Sequence, residues 1–491
     1  MKLQSIGYKA LIEKFKIESL PHWHYSSVSI ENHTHKIEKN RETLHEIYPK
    51  KYAIEDKVLN HLEFALKYDG VNLTLLTLIF QKIEEQELIK HINAKPTGKY
   101  VRRLWYFYEF LMNKKLPIDD LKQGNYIDLL ETKNYFTLEN PSSIKRQRVR
   151  DNLLGDKRFC PIVRKTETIQ KYEALNLAQK SKEILTQYPT EILQRALGYL
   201  YTKETKSSFE IERVKPSTSR IEKFVSLLKE AHQDDFCTKE KFISLQNRIV
   251  DTRFADNNYR TTQNYVGESI SYGYEKVHYI SPKPEDLNDL MSGLIEAHHR
   301  MSNSTALSVI HATIIAYGFV YLHPFEDGNG RIHRFLLHNI LARESFTPKE
   351  MIFPISAILL KNPQAYDVSL ESFSLPLLSL IDYDLSSEGE MHVLNDTSLF
   401  YRTIDMTQQV EALYKFIHQT IDEELTQELK FISKYDASKR AIQKIIDMPD
   451  RQIDLFIRFT TQNGGKLSEN KRKKYFDFLT KDEINEMERS L

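Results

Sequence analysis

Cysteine is nearly absent: the 491 residues hold two, Cys160 and Cys237. Two isolated thiols make neither a disulfide framework nor a Cys-based metal motif, which suits a reducing, cytosolic setting. Glycine and proline are sparse, at 15 and 16 residues. That predicts long uninterrupted helices and excludes low-complexity tracts. Excess charge of either sign is missing, with 69 Lys and Arg against 68 Asp and Glu. Bulk electrostatics therefore gives no case for nucleic acid or a membrane surface as partner. The opening residues, Met1 to Gly7, lack the apolar run of a signal peptide. The one near-continuous apolar stretch, 306–322, is marginally short for a membrane span and contains Ser308, His311, Thr313 and Gly318. It reads as a helix buried on all sides of a globular core.

What the chain does have lies just after that stretch. Residues 323–334 read His-Pro-Phe-Glu-Asp-Gly-Asn-Gly-Arg-Ile-His-Arg. Asp327 to Gly330 is turn sequence, and Ile332, Phe335, Leu336, Ile340 and Leu341 continue as a helix. The segment is thus helix, tight loop, helix. The first amides of the second helix have no intrahelical acceptor and carry partial positive charge. Gly328 and Gly330 lack Cβ, so an anion can approach their backbone closely. Arg331 and Arg334 share a helix face and can grip phosphate oxygens. Asp327 is a hard-cation ligand, and His323 is the group that titrates near neutrality, suited to general-base work. Together these suit a reaction at a nucleotide phosphate.

The segment resembles the motif of the Fic family, His-x-Phe-x-Asp/Glu-Gly-Asn-Gly-Arg-x-x-Arg, at every fixed position. The resemblance extends over roughly Ser207 to Leu380. It implies a mainly α fold: a Fic-type helical core with a β-hairpin flap, flanked by N- and C-terminal helical domains. It further implies an adenylyltransferase that moves AMP from ATP, with Mg²⁺ (or Mn²⁺), onto a Ser, Thr or Tyr hydroxyl of a target protein. In that scheme His323 is the base. The amides of Gly328 and Gly330, with Asn329, hold the phosphates. Asp327 holds the metal, Arg331 the β-phosphate and Arg334 the γ-phosphate. Ser207-Ser-Phe-Glu-Ile-Glu-Arg213 resembles the family's inhibitory motif through Ser208 and Glu212, with Arg213 where Gly or Asn is usual. Residues 265–280 are rich in strand formers, with a turn at Gly273. They stand where the family has its target-docking flap, which would use Val266, Gly267, Val277 and His278.

Three rivals stay open. The site can use another nucleotide or remove AMP. His323, Asp327 and His333 can be read as metal ligands of a hydrolase. A silenced core can act as a binding module. Self-modification and a homo-oligomer are also left open. The domains are expected at 1–170, 171–385 and 386–491. Residues 1–40 read as irregular. Tyr100–Leu111 reads as an aromatic core helix, the basic run Lys145–Lys165 as a solvated helix face joining two domains, and Leu385–Asn395 as a linker.

Overall fold

The computed structural model describes residues 3–31, 35–40, 43–271, 274–302, 304 and 307–491. The chain is mainly helical, 56% helix and 11% strand. It divides into two compact units, neither continuous in sequence. The first comprises Met1–Ala174, Ser226–Phe346 and Asn362–Tyr414; the second comprises Leu175–Val225, Thr347–Lys361 and Lys415–Leu491. Among the described residues no helix is long and apolar enough to cross a membrane.

The first unit begins with a sheet that hydrophobic periodicity does not announce. Strands β1 (Leu3–Ile6), β2 (His24–Ser29), β3 (Lys36–Asn40) and β4 (Thr43–Tyr48) run in the order β1-β2-β4-β3, with β2 and β4 parallel. Residues expected to be irregular therefore form strands. The reason is that several buried positions of β2 are polar: His24, Ser26, Ser27 and Ser29 are all buried. Hydrogen bonds make this tolerable. Ser26 Oγ donates to the buried Asp69 carboxylate, and Ser27 Oγ lies 2.9 Å from His45 Nε2.

The aromatic helix Lys99–Met112 packs as expected, with Leu104, Trp105 and Phe107 fully buried in the same core as Leu59, Leu62 and Leu75. The basic run is different from its reading. It holds no helix over 145–165; strands β5 (Ile127–Asp128), β6 (Ser142–Ile144) and β7 (Val149–Asp151) form a small sheet in the order β5-β7-β6. Its arginines bind protein acceptors even where they stay partly exposed. Arg146 binds Glu109 at 2.8 Å and the carbonyls of Leu116 and Ile118 at 2.7 Å each. Arg148 binds the carbonyls of Leu121 and Lys122, and Arg150 binds Asp128. Spacing alone does not distinguish a solvated basic face from arginines that staple loops.

Three helices of this unit carry the motif. The lead-in helix Ser308–Leu322 is buried at every position except Val320, so the apolar run is a core helix. It packs on the helix Pro284–Met301, and a Cβ at Gly318 would sit 2.7 Å from Leu294 Cδ1. A side chain there would force Leu294 and Phe159 to shift. The exit helix Asn329–Arg343 returns beside it. Strands β8 (Tyr265–Ser271) and β9 (Tyr274–Ile280) form the antiparallel hairpin expected there, pairing Val266 with Tyr279 and Gly267 with Val277. The turn position Gly273 lies outside the described residues. The expected linker holds a second hairpin, β10 (Tyr383–Leu385) with β11 (Met391–Val393).

The second unit contains the 22-residue helix Thr190–Ile211. Glu204 on this helix is fully buried and accepts a hydrogen bond from the Ser356 amide at 2.8 Å and another from its hydroxyl. The C-terminal helices close on a separate core that includes Ile442, Ile453, Phe456, Phe476 and Met487.

Candidate functional site

The lead-in helix ends at His323, which has left-handed backbone angles, φ 49° and ψ 58°. A β-substituted residue adopts that conformation at a cost of about 1–2 kcal/mol, so the surrounding contacts must hold it. His323 N–H donates to Phe319 C=O at 2.9 Å. Its ring Nδ1 lies 3.0 Å from Val320 C=O. A carbonyl only accepts, so Nδ1 is the donor; in the neutral ring that places the lone pair on Nε2, the arrangement a general base needs.

Phe325 is fully buried, against Tyr259 and Phe319 at ring-centroid distances of 5.8 and 6.2 Å. Asn329 fixes the loop from the other side. Its Oδ1 accepts from Phe325 N–H at 3.1 Å and its Nδ2 donates to Phe325 C=O at 2.7 Å. The Asn329 side chain is thus occupied in closing the loop, and its contribution to an anion would come from its backbone N–H. Gly328, at φ 94°, precedes the exit helix, and a Cβ there would lie 2.9 Å from Val250 Cγ1. The backbone angle favours glycine, and any side chain there would also push Val250 aside.

The first intrahelical bond of the exit helix runs from Ile332 N–H to Gly328 C=O at 2.9 Å. The amides of Asn329 and Gly330 precede it and have no acceptor within the helix. Arg331 and Arg334 are both about 2% exposed. Arg331 Nη2 lies 2.6 Å from Asp327 Oδ1, which also accepts from Gly328 N–H at 2.7 Å. The Asp327 side chain is 45% exposed. Within twelve residues the fold therefore assembles an imidazole, a helix N-terminus, two buried guanidinium groups and a half-exposed carboxylate.

The hydrolase reading fares differently. His333 is fully buried, edge-on to Tyr317 at 4.8 Å and stacked on Tyr366 at 6.2 Å between ring centroids. Burial pushes its imidazole down to about 3. It is a neutral core residue, and Tyr366 serves packing with it. Among the described residues, the group of three placed to share a metal ion is Asp235, Cys237 and His298. Arg343 Nη1 lies 3.2 Å from Asp235 Oδ2 and 3.5 Å from His298 Nε2. His298 also meets His311, which in turn bonds Glu344. With a guanidinium already paired to it, the group is a partly exposed ion-pair network.

Sequence reasoning missed three residues that shape the site. Arg260 is 6% exposed and binds the carbonyl of His323 at 2.8 Å. Asn264 Nδ2 donates to Phe325 C=O at 3.2 Å. Gln246, fully buried, donates to Phe254 C=O at 2.8 Å and accepts from Asp256 N–H at 3.0 Å. All three bind main chain, a role with no periodicity or motif to mark it.

Ser208 and Glu212 belong to the second unit. Ser208 is fully buried near the end of the helix Thr190–Ile211, and Glu212 is its C-cap. Arg213 follows at φ 58°. Val214 N–H bonds Phe209 C=O at 3.1 Å, and Arg213 N–H bonds Glu210 C=O at 2.8 Å. This is a Schellman end, whose left-handed residue is most often Gly or Asn. Arg213 occupies that left-handed position, which gives a conformational reason for the Gly or Asn usual there.

Part of the chain resembles known proteins. Residues 236–341 match the family described as Fic/DOC. The "Protein adenylyltransferase Fic" of Culex quinquefasciatus is 29% identical over 119 residues, covering 24% of this chain and 22% of that protein. The protein of the same name from Nematostella vectensis is 33% identical over 90 residues, 18% of this chain and 19% of that protein. The chain thus spans about a fifth of the length of these relatives. A solved Fic family protein from Desulfovibrio desulfuricans G20 aligns over 64% of this chain and 89% of its own, with 18% identity and a TM-score of 0.38. Residues 236–341 form a Fic-family domain, carried within a longer chain.

Proposed function

We propose that the protein transfers AMP from ATP to a Ser, Thr or Tyr hydroxyl of a target protein. The observation that carries this reading is the contact of His323 Nδ1 with Val320 C=O, which makes Nδ1 the donor and, in the neutral ring, leaves Nε2 as the basic nitrogen. The triphosphate would lie on the amides at the start of the exit helix. Arg331 would hold the β-phosphate and Arg334 the γ-phosphate. His323 Nε2 takes the proton of the incoming hydroxyl. The hydroxyl oxygen bonds to the α-phosphorus, the bond from that phosphorus to the oxygen bridging the α- and β-phosphates breaks, and pyrophosphate leaves.

A divalent cation fits the site. Both bonds to Asp327 land on Oδ1, and one half-exposed carboxylate plus substrate phosphates is a common Mg²⁺ donor set. When bound, Mg²⁺ (or Mn²⁺) would neutralise charge across the α- and β-phosphates. The target segment would pair with the edge of the β8–β9 hairpin at Val266, Gly267, Val277 and His278, strand to strand. Glu212, with Ser208 one turn earlier, would restrain the reaction, as its likeness to the family's inhibitory motif implies.

Each labelled nucleoside triphosphate should be incubated with the full chain and Mg²⁺, with and without cell lysate. Label from ATP should appear on protein. Transfer from a different nucleotide would move the reading within the family. Salt-dependent DNA binding without turnover would replace it with the silenced module.

A further inference from the structure

We propose that Arg260 is the positioning residue that fixes the β8–β9 hairpin against His323, and so decides where a docked hydroxyl meets the base. The inference deepens the transfer reading and rests on it.

Arg260 lies between the residues before the hairpin and the motif loop. Its backbone N–H donates to Pro324 C=O at 2.8 Å. Its Nε donates to His323 C=O at 2.8 Å. Nη1 reaches Thr262 C=O at 2.7 Å and Nη2 reaches Pro282 C=O at 2.6 Å. One guanidinium thus touches the chain just before the hairpin, the chain just after it, and the base itself. The rigid planar fork can serve three divergent carbonyls at once; the point charge of lysine cannot.

Every hydrogen-bond acceptor named is a main-chain carbonyl. A 6%-exposed cation held in this way is an expensive means of filling space. An apolar side chain of similar volume would serve stability as well or better. What the guanidinium adds is geometry. A two-stranded hairpin is marginally stable alone, and this one is solvated, with Val266 43% and Ile270 58% exposed. Its direction is therefore decided at its base. The same region carries two further fasteners: Asn264 on Phe325 C=O, and Tyr401 Oη on Ile280 C=O at 2.5 Å. The left-handed His323 is held at both ends, its ring by Val320 and its carbonyl by Arg260. Loss of Arg260 would release the base and the docking edge together.

The test uses the full chain with R260K and R260Q, ATP labelled on the α-phosphate, and Mg²⁺. Label transfer should fall roughly 10–10²-fold, since small misplacements of reacting groups cost that much. The loss should appear in kcat, with equilibrium ATP affinity unchanged. Hydrogen–deuterium exchange should accelerate in 265–280 and stay at the wild-type rate in the lead-in and exit helices. In R260A, millimolar guanidinium should restore part of the transfer, and methylammonium should not. Wild-type transfer and hairpin protection in R260K would overturn the proposal. So would losses that track ATP binding and global melting, the signature of a merely structural residue. If the wild type transfers no label, the transfer reading fails, and unchanged or accelerated exchange in the hairpin still decides whether Arg260 holds it.

Discussion

Asp327 and Arg331 are paired across one helical turn, Oδ1 to Nη2 at 2.6 Å. These are the two side chains to which the proposal gives opposite tasks, one for the cation and one for the β-phosphate. Their pairing keeps the buried Arg331 compensated and holds it at the mouth of the loop. Nucleotide and metal would then exchange one ion pair for two. Asp327→Asn should remove the Mg²⁺-dependent part of ATP affinity and leave the Mg²⁺-independent part. Calorimetric titration with and without Mg²⁺ measures both. Equal loss of the two parts would assign Asp327 to holding Arg331 only.

The hairpin offers a separate check. Glu268 pairs with Lys276 and Ser269 with Glu275. Proline at Ser269 or Lys276 removes a backbone donor and distorts the strand. Target modification should fall while ATP binding stays. Loss of neither would remove the hairpin from target docking.

The end of the helix Thr190–Ile211 yields a prediction in two parts. Arg213 sits at φ 58°, a region that favours glycine. Arg213→Gly should stabilise the chain by about 0.5–1 kcal/mol, the relief of left-handed strain less the extra entropy of an unfolded glycine. Denaturant melting reads this. Glu212→Gly should instead raise transfer, self-modification included, by about 10²-fold if it relieves a misaligned nucleotide. An unchanged rate would leave Ser207–Arg213 as a helix end without regulatory function.

A pH effect is built into the N-terminal sheet. Burial raises the Asp69 carboxyl from 3.8 to about 7, against hydrogen bonds from Ser26 and the Tyr8 amide that favour the anion. The folded state therefore holds this proton more tightly than the unfolded chain does. Stability from this group is fully present below about pH 4 and is lost as pH rises through about 7. A rise from 3.8 to about 7 is worth up to about 4 kcal/mol. Asp69→Asn should flatten that part of the melting curve against pH. An identical pH dependence in the variant would contradict the assignment.

The motif was readable because its chemistry is local. His323, Asp327, Gly328 and Arg331 fall within nine residues, and the glycine and helix-start rules apply to them directly. The apolar 306–322 run and the aromatic helix were legible for the same reason, being continuous in sequence. The N-terminal sheet was not, because buried Ser26, Ser27 and Ser29 erase the alternation that marks a strand. Arg260, Asn264 and the arginines of 146–150 were not, because their acceptors, backbone carbonyls and the distant Glu109 and Asp128 carboxylates, are brought close only by the fold. Composition also favoured a solvated reading for those arginines, and tertiary contact overrode it.

The central claim is that His323 delivers a protein hydroxyl to the α-phosphate of ATP. The measurement is protein-bound label from ATP carrying it on the α-phosphate, in wild type and in His323→Ala, with ATP affinity measured alongside. Loss of a general base costs ~10²–10⁴-fold, so label should fall by at least that lower figure while affinity holds. Label on protein at the wild-type rate in the His323 variant, or no label from any nucleotide in the wild type, would contradict the account.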